Sequence, residues 1–176
     1  TTQEDCDDCS AGSWCPGGRV APRECSPGTR QPRSAQGSCS FCTAGSFQNE
    51  SGQTACFGCP PTAYCEEGAT AALPCPEGSY SSTAGLGAAE HCTSCPAGSF
   101  CSTGSLNHTL CSPGSVQDLE GQGSCSRCDA GSFMHASGAT ECYECVAGSY
   151  CEAGASAPQP CLEGSYSSLP GLGSRS

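Results

Sequence analysis

The sequence contains no isoleucine and no lysine, and it is poor in the other residues that build a hydrophobic core. Only three Val, eight Leu, one Met and one Trp occur among its 176 residues. Ordering the backbone of a folded chain costs about 1–2 kcal/mol per residue. Burial of so few apolar side chains cannot offset that cost. The composition therefore excludes an ordinary globular domain with a large hydrophobic core.

The shortage of basic residues excludes a second class of protein. The sequence has six Arg and seventeen acidic residues, so the formal net charge is −11. Binding to nucleic acid needs a basic face that neutralises phosphates, and we therefore predict no nucleic-acid partner. The sequence also has no apolar run of the length that spans a bilayer, and we predict no membrane insertion in this segment.

What the chain has in abundance is cysteine, at twenty residues of 176. That density is typical of small modules held by disulfides in an oxidising compartment. The only two asparagines, Asn49 and Asn107, both begin N-glycosylation acceptors, Asn-Glu-Ser and Asn-His-Thr. Together these features predict an extracellular or cell-surface location and N-linked glycans at Asn49 and Asn107.

The cysteines repeat with a period of 86 residues. Every cysteine of the second half stands 86 residues after one of the first, beginning with Cys6 and Cys92. A tandem duplication explains this register. We therefore predict two super-repeats, residues 1–91 and 92–176.

A shorter repeat lies within each super-repeat. It begins at an anchor cysteine and reads C-x-x-G-[ST]-aromatic in most copies. The anchors are Cys9, Cys25, Cys42, Cys59, Cys75, Cys95, Cys111, Cys128, Cys145 and Cys161. Glycine at the fourth place permits a positive-φ turn or a close backbone approach. We predict a small disulfide-rich fold, namely an elongated tandem array of short β-hairpin and turn modules with little helix and no large hydrophobic core.

These repeats resemble a known family. CTAGSFQNESGQTACFGC (42–59) and CDAGSFMHASGATECYEC (128–145) resemble the ephrin-receptor-like cysteine-rich repeat, which is itself similar to modules of the tumour-necrosis-factor-receptor cysteine-rich domain. The segments 95–115 and 145–165 resemble its variant with an extra cysteine. The resemblance covers essentially the whole chain. It implies a fold but no binding residue, because the family motif is structural and such repeats serve many functions.

The resemblance also implies a disulfide pattern in which an anchor joins the next cysteine across thirteen residues. That rule gives Cys25–Cys39, Cys42–Cys56, Cys111–Cys125 and Cys128–Cys142. Extending it gives Cys75–Cys92 and the short pairs Cys9–Cys15, Cys59–Cys65, Cys95–Cys101 and Cys145–Cys151. A staggered pattern, such as Cys6–Cys15 with Cys9–Cys25, stays open because spacing alone does not decide connectivity.

The extended rule leaves Cys6 and Cys161 unpaired within the chain or joined to neighbours. Cys161 is the counterpart of Cys75, whose partner under the rule is Cys92. The matching partner of Cys161 would fall at position 178, beyond the last residue. We therefore expect the chain to be an excerpt of a longer array, and we expect adjacent repeats or further copies of the protein as partners.

Zinc is the main chemical alternative to disulfides. Eight cysteines form two C-x2-C-x13-C-x2-C patterns close to zinc-ribbon spacing: Cys39, Cys42, Cys56 and Cys59, then Cys125, Cys128, Cys142 and Cys145. The other twelve cysteines share the repeat but not this spacing, and the glycosylation acceptors indicate an oxidising compartment. We therefore predict no metal and no cofactor.

The sequence predicts no catalytic residue and no enzyme activity. A repeated, cross-linked architecture instead favours a non-enzymatic structural protein, such as a stalk, a coat component or a filament-forming glycoprotein. The alternative is a receptor-type ectodomain that binds a protein ligand. Its candidate surface is the set of four arginines whose counterparts in the second half are uncharged: Arg19, Arg23, Arg30 and Arg33.

Overall fold

The computed structural model describes residues 7–18 and 20–174. In these residues the chain forms eighteen two-residue strands and one 3-10 helix, Ala89–His91. The strands are β1 (Ser13–Trp14), β2 (Arg23–Glu24), β3 (Thr29–Arg30), β4 (Ser40–Phe41), β5 (Ser46–Phe47), β6 (Phe57–Gly58), β7 (Ala63–Tyr64), β8 (Leu73–Pro74), β9 (Ser79–Tyr80), β10 (Thr93–Ser94), β11 (Ser99–Phe100), β12 (Thr109–Leu110), β13 (Ser115–Val116), β14 (Ser126–Arg127), β15 (Ser132–Phe133), β16 (Tyr143–Glu144), β17 (Ser149–Tyr150) and β18 (Gln159–Pro160).

Consecutive strands pair in nine antiparallel hairpins, from β1–β2 to β17–β18. The first strand of each hairpin follows an anchor cysteine, and the second strand lies just before the next anchor. We call the stretch from one anchor to the residue before the next a module and name it by its anchor. The predicted fold class of small, disulfide-rich tandem hairpin modules with little helix is confirmed.

The repeat motif builds a turn at the start of each module. In the Cys95 module the Ser99 N–H donates to the Pro96 carbonyl at 3.2 Å, and the Ser99 hydroxyl donates to the same oxygen at 2.6 Å. Gly98 is the third residue of this turn and has a φ of 79°, a value that type II turns require and glycine supplies without strain. The serine of the motif is therefore a turn residue, since its hydroxyl closes the same turn as its backbone.

The described residues divide into two compact units. The first comprises the residues up to Cys75 together with Ser81–Cys92, and the second comprises Pro76–Tyr80 and the residues from Thr93 onward.

Within the first unit, backbone hydrogen bonds tie each module to the one that follows it. The Gly28 N–H donates to the Gln48 carbonyl at 2.7 Å, and the Cys42 N–H donates to the Gly28 carbonyl at 2.9 Å. The same two bonds recur along this unit. Each module thus completes the backbone pairing of its neighbour, as in other repeat proteins.

The second unit has the same pattern. The Gly98 N–H donates to the Gln117 carbonyl at 2.7 Å, and the Cys111 N–H donates to the Gly98 carbonyl at 2.9 Å. The equivalent bonds join the Cys111 module to Met134 and the Cys128 module to Cys151.

Glycine at the fourth place of the motif also permits a close approach between alternate modules. A Cβ added to Gly45 would overlap the carbonyl oxygen of Gly85, and one added to Gly98 would overlap that of Gly138. The same relationship holds for Gly12, Gly28, Gly78, Gly114 and Gly131. In these seven modules the motif glycine therefore satisfies two requirements, a positive φ and a backbone contact with no room for a side chain.

The interior of each unit is built mainly of cysteine. Twelve of the fifteen buried apolar residues in the described chain are cysteines, and the others are Ala63, Met134 and Tyr150. This arrangement matches the small apolar content of the sequence, because the disulfides occupy the place that a hydrophobic core takes in larger domains.

Candidate functional site

Nine disulfides lie in the described residues, and each joins an anchor to the next cysteine along the chain. The Cα–Cα distances run from 5.7 Å to 6.1 Å, within the usual range. Four pairs are 14 residues apart: Cys25–Cys39, Cys42–Cys56, Cys111–Cys125 and Cys128–Cys142. Four are 6 residues apart, Cys9–Cys15, Cys59–Cys65, Cys95–Cys101 and Cys145–Cys151, and Cys75–Cys92 is 17 residues apart.

This pairing leaves the two patterns of zinc-ribbon spacing without thiols. Cys39 and Cys42 belong to different disulfides, and Cys56 and Cys59 do as well. The second pattern is divided in the same way. The staggered alternative also differs from the structure, in which Cys9 is joined to Cys15. Cys6, which the staggered pattern pairs with Cys15, lies outside the described residues.

Cys161 is the one cysteine without a disulfide in the part of the chain that the structure describes, and its side chain is half-buried. It borders a cavity of about 350 Å³ that is also lined by Tyr150, Leu162 and Tyr166. Tyr166 is 92% exposed. Ser165 and Tyr166 are the counterparts, 86 residues later, of the two residues of β9, but they form no strand.

In most modules the residue six places after the anchor holds the loop of its module in one of two ways, as a disulfide cysteine or as a buried glutamine. In the modules with short disulfides it is the second cysteine, as in Cys65 of the Cys59 module. In three modules with longer loops it is a buried glutamine that binds both sides of the loop. Gln48 is 1% exposed, its Nε2 donates to the Ala55 carbonyl at 2.8 Å, and its Oε1 accepts from the Glu50 N–H at 3.0 Å. We call this arrangement the glutamine clamp.

Gln31 and Gln117 form the same clamp. Their Nε2 groups donate to the carbonyls of Ser38 and Ser124. Their Oε1 atoms accept from backbone N–H groups two residues further on. In these three modules the clamp helps to hold the loop of thirteen residues between paired cysteines, and among the described residues no buried side-chain nitrogen or oxygen lacks a hydrogen bond.

The predictions from the sequence do not include two structural positions of the modules. The clamp is one, although glutamine six places after the anchor could have been noticed in three modules. The other is a second positive-φ residue nine or ten places after the anchor, such as Gly52, Gly68 or Gly85. The variable offset hides this glycine from a search at fixed spacing, and Ala35 replaces it in the Cys25 module, with a φ of 57°.

Three of the four arginines proposed as a binding surface lie in the first two hairpins of the first unit. Arg23 is exposed on β2 and lies over the Trp14 ring, with its Cζ 5.8 Å from the ring centroid. Arg30 is half-buried on β3, and Arg33 is exposed in the following loop. Arg19 lies outside the described residues. The structure therefore brings Arg23 into contact with an aromatic side chain and leaves Arg33 exposed.

Both asparagines of the glycosylation acceptors are exposed. Asn49 lies two residues after the end of the strand pairing at Phe47, and Asn107 lies two residues before β12 begins at Thr109. A glycan at either position would therefore displace no buried residue.

Aromatic side chains face each other across two hairpins. Phe47 of β5 and Phe57 of β6 are paired in register, with ring centroids 5.9 Å apart. Their counterparts 86 residues later, Phe133 and Tyr143, are 6.0 Å apart. Such pairs stabilise antiparallel strands.

No protein-family model matches this chain, and no curated protein matches it either. Among the residues that the structure describes, no helix has the length and apolar character needed to cross a bilayer.

Proposed function

We propose that the chain is a non-enzymatic, extracellular repeat protein with a structural role, as a stalk, a coat component or a filament-forming glycoprotein. One observation carries the proposal. The repeated element is a module with one hairpin and one disulfide, and it is hydrogen bonded to the next module within each unit. A repeated building block of this kind suits a spacing or load-carrying role. The disulfides support an oxidising environment.

The modules are proposed to be ephrin-receptor-like cysteine-rich repeats. The hairpins closed by a disulfide across thirteen residues, in the Cys42 and Cys128 modules, support this relationship. The modules with a six-residue disulfide spacing are proposed to be the variant with an extra cysteine.

The test is to secrete the chain from cultured animal cells and to measure its mass with and without reduction, its glycans and its binding to a panel of cell surfaces. We expect secretion with at most Cys6 and Cys161 as free thiols and no saturable binding. Retention inside the cell as a reduced chain would contradict the extracellular proposal. Saturable, high-affinity binding would contradict the purely structural role.

A receptor-type ectodomain is the second candidate, and the Arg23–Trp14 contact favours it. Arginine and tryptophan are enriched among the residues that dominate protein interfaces, and four of the six arginines lie within residues 19–33 of an acidic chain. The surface would suit an acidic protein ligand. The four arginines can be replaced by the residue types of their second-half counterparts, Ser105, Thr109, Val116 and Leu119. The variant with Arg19→Ser, Arg23→Thr, Arg30→Val and Arg33→Leu should lose any saturable binding. Arg127→Ser, at the one described arginine of the second unit, is the control and should preserve it.

Further copies of the chain or adjacent repeats are the proposed partners, with Cys161 as a point of attachment. Non-reducing electrophoresis of the secreted protein tests this directly. Disulfide-linked species that disappear in Cys161→Ser would support the proposal. A monomer in both the original protein and the Cys161→Ser variant would contradict it.

A further inference from the structure

The Cys42 and Cys128 modules are counterparts, and they differ beside their aromatic pairs. In the Cys128 module, His135 lies against both rings of the pair. Its imidazole is stacked on Tyr143, with centroids 6.0 Å apart and planes at 22°, and it lies 6.4 Å from Phe133. A side chain at this position therefore reaches the face of the aromatic pair.

In the Cys42 module the residue at this position is Asn49. The aromatic pair there is Phe47 and Phe57, and Phe57 is 55% exposed. Gln48, between Phe47 and Asn49, is buried, as is Met134 between Phe133 and His135. Phe47 and Asn49 thus flank a buried residue in sequence as Phe133 and His135 do, which places Asn49 at the position from which His135 reaches its aromatic pair.

We propose that Asn49 is N-glycosylated and that its first N-acetylglucosamine packs against the Phe47–Phe57 pair, where His135 packs against Phe133 and Tyr143. This inference rests on the proposed extracellular function. In the modification, Asn49 Nδ2 loses a proton and bonds to C1 of the sugar. The bond from that carbon to a lipid-linked pyrophosphate breaks, and the lipid pyrophosphate leaves with the proton.

The chemistry of the two surfaces is complementary. One face of a pyranose ring presents C–H groups, which are apolar, and the face of an aromatic ring carries a partial negative charge that attracts them. Contact with the sugar would also remove part of the exposed Phe57 surface from water. The first sugar therefore replaces the third ring that the Cys128 module provides through His135.

The second acceptor has no cross-strand pair of aromatic rings and is an internal control for that pair, although His108 beside it lies against Tyr80, with ring centroids 5.6 Å apart. Its hairpin pairs Phe100 with Thr109 instead of with a second ring, and the residue two places before Asn107 is Ser105. We expect the first sugar on Asn107 to extend into solvent.

The experiment uses the full chain secreted from cells that make high-mannose glycans, trimmed enzymatically to a single N-acetylglucosamine at each site. Proton NMR then compares the sugar signals at Asn49 and Asn107. Ring currents should shift the Asn49 sugar protons upfield relative to those at Asn107. Phe57→Ser should remove that shift. Serine is compatible with the hairpin here, because Ser40 and Ser126 occupy the same place in other modules.

Amide hydrogen exchange in the Cys42 module provides a second readout. Asn49→Gln removes the sugar and should speed local exchange roughly fivefold, the scale of one aromatic contact. Asn49→His should restore slow exchange, because it supplies the ring found at His135.

The outcomes separate this inference from the proposed function. A secreted, oxidised protein with no sugar on Asn49 overturns the inference and leaves the extracellular role intact. A sugar on Asn49 whose signals match those at Asn107, and do not respond to Phe57→Ser, overturns the packing. A chain that stays reduced inside the cell overturns the proposed function itself.

Discussion

Gln48 and Met134 occupy the same position in modules 86 residues apart, but only Gln48 binds both sides of its loop. Gln48 donates to the Ala55 carbonyl and accepts from the Glu50 N–H. Met134 is equally buried, at 2% exposure. Its Sδ accepts one weak hydrogen bond from the Ala136 N–H at 3.5 Å and has no proton to donate. The two loops are therefore held by unequal polar contacts.

Replacing Gln48 by Met should destabilise the Cys42 module. The change removes two hydrogen bonds, each contributing about 0.5–1.5 kcal/mol, and leaves the Ala55 carbonyl without its partner. We expect the local free energy of opening to fall by about 1–2 kcal/mol. Native-state hydrogen exchange in residues 42–58 measures it, since an array of modules need not unfold in two states.

Thr54→Met is the matched control, because Thr54 is exposed in the same loop. It should leave exchange nearly unchanged. Equal effects of the two substitutions would show that the clamp contributes nothing specific.

The reverse substitution, Met134→Gln, should stabilise the Cys128 module. The new side chain can accept from the Ala136 N–H and donate to the carbonyl of Glu141, which stands seven places later as Ala55 does after Gln48. We expect a gain of about 1 kcal/mol in local stability, measured by slower amide exchange in residues 128–144. Unchanged or faster exchange would mean that the packing of Met134 outweighs the hydrogen bonds of the clamp.

The sequence predicts the fold because each module repeats its main structural signals. The anchor cysteine, the motif glycine and the following serine recur at fixed offsets, and they form the turn at Gly98 and Ser99. The glutamine clamp is harder to recognise, since its position holds cysteine in some modules, methionine at 134 and serine at 81 and 167.

Contacts between alternate modules are also hidden in the sequence. The overlap that a Cβ on Gly45 would make with Gly85 joins residues 40 apart, and no local pattern shows that distance. The sequence alone explains Gly45 by its turn. The structure shows that Gly45 also makes a close backbone contact with Gly85.

A comparison of Gly45→Ala with Gly148→Ala tests that second requirement. Both glycines have positive φ, 85° and 80°. A Cβ on Gly148 meets nothing within 4 Å, whereas one on Gly45 meets the Gly85 backbone. Gly148→Ala should cost about 1–2 kcal/mol for the backbone conformation alone. Gly45→Ala should cost a further 1–3 kcal/mol, roughly, for the steric overlap.

Hydrogen exchange around each site gives both values. A similar cost for the two substitutions would indicate that alternate modules do not approach closely at Gly45 in solution.

The fold rests on one pairing rule, in which each anchor from Cys9 to Cys145 is joined by a disulfide to the next cysteine along the chain. Its most direct test is a disulfide map by mass spectrometry of unreduced peptides from the secreted protein. An acid protease suits the digestion, because the chain has no lysine and six arginines, and low pH suppresses disulfide exchange. We expect linked peptides for all nine pairs, including Cys9–Cys15 and Cys75–Cys92. A Cys9–Cys25 peptide, or free thiols at Cys39, Cys42, Cys56 and Cys59, would contradict it.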